Sequence, residues 1–247
     1  MLLLVTGGRG DLGRRVVPRL REAGHEALIG TRAPTDGDHV RFDLAAPPSA
    51  AQLGGVDVIV HLASDPRHPR QEVEGSAGLW QAAREAGVAH AVYISIVGID
   101  DHPFPYYQAK REVERRLEHS GVPYSILRTT QFHSFIPRLV DEIGGRLRMV
   151  PVPGRIPVRP VDADVVADRL AELVEAGPSG RVADMAGPEV LSLDEMVLDY
   201  LQARNRRWLR IRLPLGGKSV DGFRRGLHLG TDPLVAGGTY RQYLERA

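Results

Sequence analysis

Tyr106 and Lys110 lie four residues apart, just after Pro103 and Pro105, so on a helix they share one face. A phenol, with a pKa of about 10, exchanges protons poorly at neutral pH. A neighbouring ammonium favours the phenolate and so poises the group for acid/base work. Tyr107 and Arg111 have the same spacing. Ser95 precedes them in an apolar run, where its hydroxyl could hydrogen-bond a developing oxyanion. Lys110 and Lys218 are the only lysines, in a chain otherwise using arginine and rich in alanine, glycine and proline. That usage suggests a GC-rich bacterial genome, in which a retained lysine stands out.

A second cluster opens the chain. Thr6-Gly7-Gly8-Arg9-Gly10-Asp11-Leu12-Gly13 falls between an apolar run and a helical pattern. Glycines at 7, 10 and 13 suit a tight turn, close approach of a pyrophosphate and close helix–strand packing. The helix N-terminus adds N–H donors and a positive dipole end for phosphate. Arg32 ends the next apolar run, where an NAD enzyme would place a ribose-binding acid. Together with Arg9 it suits a 2′-phosphate, so the spacing favours NADPH over two solvated arginines. Asp43 is a candidate for the adenine amino group or a turn-former. Gly216-Gly217-Lys218-Ser219 resembles the end of a P-loop, but Arg212 stands where that motif needs glycine, and no strand–loop–helix is expected around it.

These residues need a scaffold, and the first half alternates strands with helices as βαβ units do. The pattern predicts strands at 2–5, 27–29, 40–42, 56–60, 91–96 and 124–127. It predicts helices from Asp11, as cap, to Gly24, from 72 to 86, and from 106 to 118. This is a doubly wound parallel sheet with a smaller, irregular C-terminal part. The expected domains are 1–130 for nucleotide binding, completed by about 158–188, with 131–157 and 189–247 as a substrate-binding cap. Prolines 137, 151, 153, 157 and 160 should break the stretch 136–161 into short pieces. Helices at 162–175 and 193–203 flank a strand at 181–185, and the tail from Pro214 should wrap the surface. Asp162 and Asp164 read as helix caps. No low-complexity linker separates the halves, which should pack together.

Composition excludes several functions. With 32 basic against 31 acidic residues in 247, the formal charge is +1, which gives no basic face for nucleic acid. Without cysteine there is no disulfide, thiol catalysis or Cys-ligated zinc, and no other metal-ligand spacing occurs. No apolar run approaches the roughly 20 residues of a membrane span. The start lacks the basic region of a signal peptide, so a cytoplasmic protein is expected. A small-molecule substrate is expected, without nucleic-acid or membrane partners; a homodimer stays open.

The glycine turn, Ser95 and Tyr106-x-x-x-Lys110 together resemble the short-chain dehydrogenase/reductase superfamily. The chain is similar to its atypical, NmrA-like, NAD(P)H-binding branch at 92–98 (VYISIVG), 106–112 (YYQAKRE), 126–132 (ILRTTQF), 160–166 (PVDADVV) and 186–192 (AGPEVLS). The resemblance implies that Tyr106 is the general acid/base, that Lys110 binds the nicotinamide ribose and tunes Tyr106, and that Ser95 polarises the substrate. It implies that Thr6 to Gly13, Arg32, Asp43, Leu44, Leu62, Ala63 and Ser64 line the cofactor, NADP(H) in preference to NAD(H). Phe132, His133 and Tyr107 would line the substrate; His61 would flank the cofactor or be structural. The implied activity is hydride transfer to a ketone, enone or quinone. Two other readings remain open: a non-catalytic NADP(H) sensor, and an epimerase or dehydratase that recycles its cofactor.

Overall fold

The computed structural model describes residues 1–35, 37–144, 148–152, 154 and 156–246. In chain order the elements are β1 (Leu2–Thr6), α1 (Gly13–Glu22), β2 (Glu26–Thr31), β3 (His39–Arg41), a 3-10 turn (Ala50–Leu53), β4 (Val58–His61), α2 (Pro69–Ala86), β5 (His90–Ile96), α3 (Pro105–Glu118) and β6 (Tyr124–Thr129). Then come α4 (Phe135–Gly144), β7 (Met149–Val152), β8 (Pro157–Val158), α5 (Ala163–Ala176), β9 (Gly180–Arg181), β10 (Met185–Ala186), β11 (Leu191–Ser192), α6 (Leu193–Ala203), β12 (Leu209–Arg212), α7 (Lys218–Arg224), β13 (Leu234–Val235) and α8 (Tyr240–Arg246). The chain divides into two compact units. One is Met1–Ser95, Pro105–Arg128 and Asp164–Ala183; the other is Ile96–Phe104, Thr129–Ala163 and Asp184–Ala247.

The first unit holds a parallel sheet in the order β6-β5-β4-β1-β2-β3, with β9 added beside β6. Its central strands β1 and β4 are almost entirely apolar, as strands covered on both faces are. Leu4, Ile59, Ala91 and Tyr93 point into a core with Val73, Leu79 and Trp80 of α2 and Val113 and Leu117 of α3. Alternation sends Leu3, Val5, Val60 and Val92, all fully buried, to the other face. There α1 and α5 run together through Arg15 and Arg19 on Asp164, and through Arg19 on Asp168. The strand order reverses between β1 and β4, where Thr6 pairs with His61. In sheets of this kind ligands bind beyond the strand ends at that reversal.

In the second unit, α4, α6 and α8 pack with β7 and β8 around Ile136, Val140, Val152, Met196, Tyr200 and Tyr240. Helix α6 begins at a capping box, Ser192 with Glu195, as its sequence demands.

Several expectations need correction. Asp11 does not cap α1; Leu12 occupies that position without a side-chain bond, and Asp11 pairs with Arg15 one turn on. Pro137 does not break the chain, because it is the third residue of α4, where its missing N–H costs nothing. The expected strand at 181–185 is two short strands, β9 and β10. The tail lies mostly at the surface, as expected, but it is anchored. Val220, Phe223, Tyr243 and Leu244 pack on the second unit's core, and Tyr240 is completely buried. Strand β12 and helix α7 do bracket the Gly216-Gly217-Lys218 segment, but β12 pairs only with β7, so Arg212 remains the reason to reject a P-loop. Among the prolines thought to break 136–161, Pro153 lies outside the described residues.

Candidate active site

The glycine turn leaves β1 with Gly7 at φ +68 and closes through Gly10 N–H donating to the Gly7 carbonyl at 2.8 Å. A Cβ at Gly7 would stand 2.8 Å from the Ala63 nitrogen; one at Gly13 would stand 2.5 Å from both the Gly7 oxygen and the Gly8 Cα. The turn therefore packs backbone to backbone against the end of β4 and the start of α1. That closeness is what a dinucleotide pyrophosphate needs, so the residues present fit such a cofactor.

Thr6 locks this arrangement. Its hydroxyl oxygen accepts from the Leu62 and Ala63 N–H groups at 3.2 and 3.3 Å, which leaves its hydrogen for His61 Nδ1 at 2.7 Å. His61 Nε2 then reaches Ser76 Oγ at 3.0 Å, and its ring stacks on Tyr93 with centroids 5.5 Å apart. Burial, with help from the Lys110 charge, lowers the His61 pKa to about 3, so this histidine is a neutral structural member of the site.

Ser64 follows directly. Its Oγ lies 2.6 Å from the Tyr106 hydroxyl and 3.0 Å from Glu72 Oε2. Glu72, completely buried in the first turn of α2, also accepts from the Asp65 N–H at 2.8 Å and holds Lys110 Nζ at 3.0 Å. Lys110 is itself buried, 4.9 Å over the Tyr93 ring and 5.9 Å from the centre of the Tyr106 ring. Burial would lower the Lys110 pKa, but Glu72, then Tyr106 and Tyr93, hold it well above the ordinary value. Tyr106 departs from the sequence expectation. Burial raises its pKa and Glu72 adds to that, outweighing the pull of Lys110 and of the Ser64 hydrogen bond.

The Arg9 guanidinium donates to the Ala33 carbonyl at 3.3 Å, beside exposed Arg32, so both arginines gather at the end of β2. Asp43 accepts from the Ala45 N–H at 3.0 Å and so builds a turn with one carboxylate oxygen. Leu44 packs its backbone on Gly75 of α2, where a Cβ would meet its oxygen at 2.2 Å. Ser95 Oγ is buried with no hydrogen-bond partner, and Tyr106 meets Ser64 rather than Ser95. Tyr107 is buried on the same α3 face as Lys110 and Glu114, its ring edge-on to that of Tyr106 with centroids 6.3 Å apart. In the second unit, Phe132 bridges to Val161, and buried His133 packs between the rings of Tyr240 and Tyr243. Asp162 pairs there with Arg246 at 2.8 Å.

Sequence reasoning missed Glu72. Its signal was a carboxylate in register with Ser76, Leu79 and Ala83, on the buried face of α2.

A reversing parallel sheet, a glycine turn at the reversal and a half-buried tyrosine beside a buried lysine define a dinucleotide-binding α/β protein. Residues 7–176 match the NAD(P)H-binding family model, and the chain belongs to that family. It is 29% identical over 222 residues, 83% of this chain and 74% of the relative, to the (4-alkanoyl-5-oxo-2,5-dihydrofuran-3-yl)methyl phosphate reductase of Streptomyces griseus subsp. griseus. Its fold matches the NADP(H) complex of the Citrobacter sp. triphenylmethane reductase at TM-score 0.78 and 16% identity, covering 100% of both chains. It also matches MoeE5 in complex with UDP-glucuronic acid and NAD at TM-score 0.78 and 20% identity, covering 99% of this chain and 97% of that one. These matches agree with the doubly wound, NAD(P)H-binding fold expected from the sequence. No helix among the described residues is long and apolar enough to cross a membrane.

Proposed function

We propose that the protein is an NADPH-dependent reductase acting on a conjugated carbonyl compound, an enone or quinone, or on a simple ketone. The observation that carries this reading is the continuity of Gly7, Ala63, Ser64 and Tyr106. The glycine turn touches Ala63, and the next residue hydrogen-bonds the tyrosine hydroxyl. A proton donor is thus built into the wall of the nucleotide cradle.

The bound dinucleotide supplies the hydride. Thr6 to Gly13 hold its pyrophosphate, with Leu62 and Ala63 closing the cradle. Arg9 and Arg32 take the 2′-phosphate, which favours NADPH over NADH. Asp43 and Leu44 line the adenosine end. Ser95, buried and unbonded, orients the substrate oxygen. Tyr106 then gives its proton to that oxygen as negative charge develops on it. Its raised pKa keeps it in the protonated form a donor must start from, though it makes the phenol a weaker acid than a free one. A recycled-cofactor epimerase would first need the phenolate, so the same observation weighs against that alternative. The Streptomyces relative supports the substrate class, since its named substrate carries a ring double bond conjugated with carbonyl groups. Phe132, His133 and Tyr107 stay assigned to substrate recognition on the resemblance alone.

The test is NADPH and NADH consumption with a panel of acyl-butenolides, quinones, enones and ketones. Turnover restricted to conjugated acceptors with NADPH is expected. Tight NADPH binding without turnover on any of them would instead favour a sensor.

A further inference from the structure

Glu72 sits where the tyrosine–lysine pair alone would leave a bare cation. One oxygen meets Lys110 Nζ; the other accepts from the Asp65 N–H and the Ser64 hydroxyl, and Ser64 touches the Tyr106 oxygen at 2.6 Å. We propose that Glu72, through Lys110 and Ser64, is a positioning residue that keeps Tyr106 in its acid form and so commits the site to reduction. This rests on Tyr106 being the proton donor.

The hydrogen inventory supports it. A carboxylate facing an ammonium can only accept, so the single Ser64 hydrogen points to Glu72. Tyr106 must then donate its own hydrogen to Ser64 Oγ. When Tyr106 gives its proton to the substrate oxygen, its O–H bond breaks and the product O–H bond forms. The Ser64 hydrogen swings from Glu72 to the phenolate, and a solvent proton arriving at exposed Ser64 restores the phenol. The reverse reaction would have to begin from phenolate, against the Glu72 charge. The groups facing Tyr106 are Lys110 from its own helix, Glu72 from α2, and Ser64 and Asp65 from the segment after β4. Tyr93 of β5 lies beneath Lys110 as an uncharged phenol, and His61 of β4 is neutral. Lys110 is therefore the cation of this set and Glu72 its buried counter-charge.

The experiment is ultraviolet titration of tyrosinate in the full chain without substrate or cofactor, subtracting Tyr106→Phe in each background to isolate Tyr106. Glu72→Gln should lower the Tyr106 midpoint by at least about one pH unit, a tenfold rise in phenolate at lower pH. An unmoved or raised midpoint would overturn the proposal. Because Glu72→Gln strands a buried ammonium and could prevent folding, Glu72→Gln/Lys110→Met removes both charges together. Lys110 acts on Tyr106 more strongly than Glu72 does, so the midpoint of this variant should rise, by less than about one pH unit. A larger rise would mean that Glu72 offsets little of the Lys110 charge, and would overturn the proposal as well. Neither result touches the reductase reading, which depends on turnover in Tyr106→Phe.

Discussion

Substituting Gly13 by alanine should damage nucleotide binding far more than its one added methyl suggests. The new Cβ would stand 2.5 Å from the Gly7 oxygen, 2.5 Å from the Gly8 Cα and 2.6 Å from the Gly8 carbonyl carbon. Ordinary contacts begin near 3.4 Å, so about 0.9 Å must be found. All three neighbours are main chain, so no side chain can rotate away and the start of α1 must separate from the turn. Overpacking of this kind costs about 1–3 kcal/mol. Since the same backbone must hold the pyrophosphate, a comparable loss should appear in affinity, roughly tenfold to a hundredfold at 1.4 kcal/mol per decade. Gly216→Ala is the control, because nothing lies within 4 Å of its Cβ. Fluorescence titration of NADPH against both variants, with thermal melting alongside, reads the two effects. Gly13→Ala binding NADPH within about twofold of wild type, less than 0.5 kcal/mol, would refute the reasoning.

Further outcomes follow from the same geometry. Arg9→Ala and Arg32→Ala should each weaken NADPH about tenfold, the worth of a charge-assisted hydrogen bond, and leave NADH unchanged; calorimetry with both nucleotides decides. Glu114→Gln should destabilise the chain by about 3–5 kcal/mol, because it removes the carboxylate charge from a buried ion pair with Arg128. Urea unfolding should also show Glu114→Gln/Arg128→Met recovering most of that loss. His61, His90 and His228 are buried, with pKa values lowered by desolvation to about 3, 4 and 4. Each is neutral when folded and protonates near pH 6.5 when unfolded, so stability is full above that pH. As pH falls from about 6.5 toward 4, stability should drop by about 1.4 kcal/mol per unit for each histidine. Melting curves across that range check the slope, and His90→Gln should reduce it by a third.

What could be read in advance divides by the range of the forces involved. Local patterns were legible: the glycine turn between strand and helix, the α2 stop at Gly87, and α6 over 193–203. Tyr106 and Lys110 share a face because helix periodicity alone puts them there. Partners set by tertiary packing were hidden. Nothing near Lys110 in the sequence names Glu72, and a glutamate in a first helical turn ordinarily serves the helix dipole. For the same reason the sign of the Tyr106 shift was misjudged. The attraction of Lys110 was visible, whereas burial and the Glu72 charge were not. The anchoring of the tail was hidden because glycines and arginines dilute a real apolar spacing at Tyr240, Tyr243 and Leu244.

The most direct test of the central claim is the rate of NADPH oxidation by wild type and Tyr106→Phe on the best conjugated carbonyl acceptor, with NADPH affinity measured on both. The account predicts that kcat falls by about a hundredfold or more, the usual contribution of a general acid, while the NADPH Kd holds. An unchanged kcat would contradict it, leaving Tyr106 a packing residue beside the nucleotide.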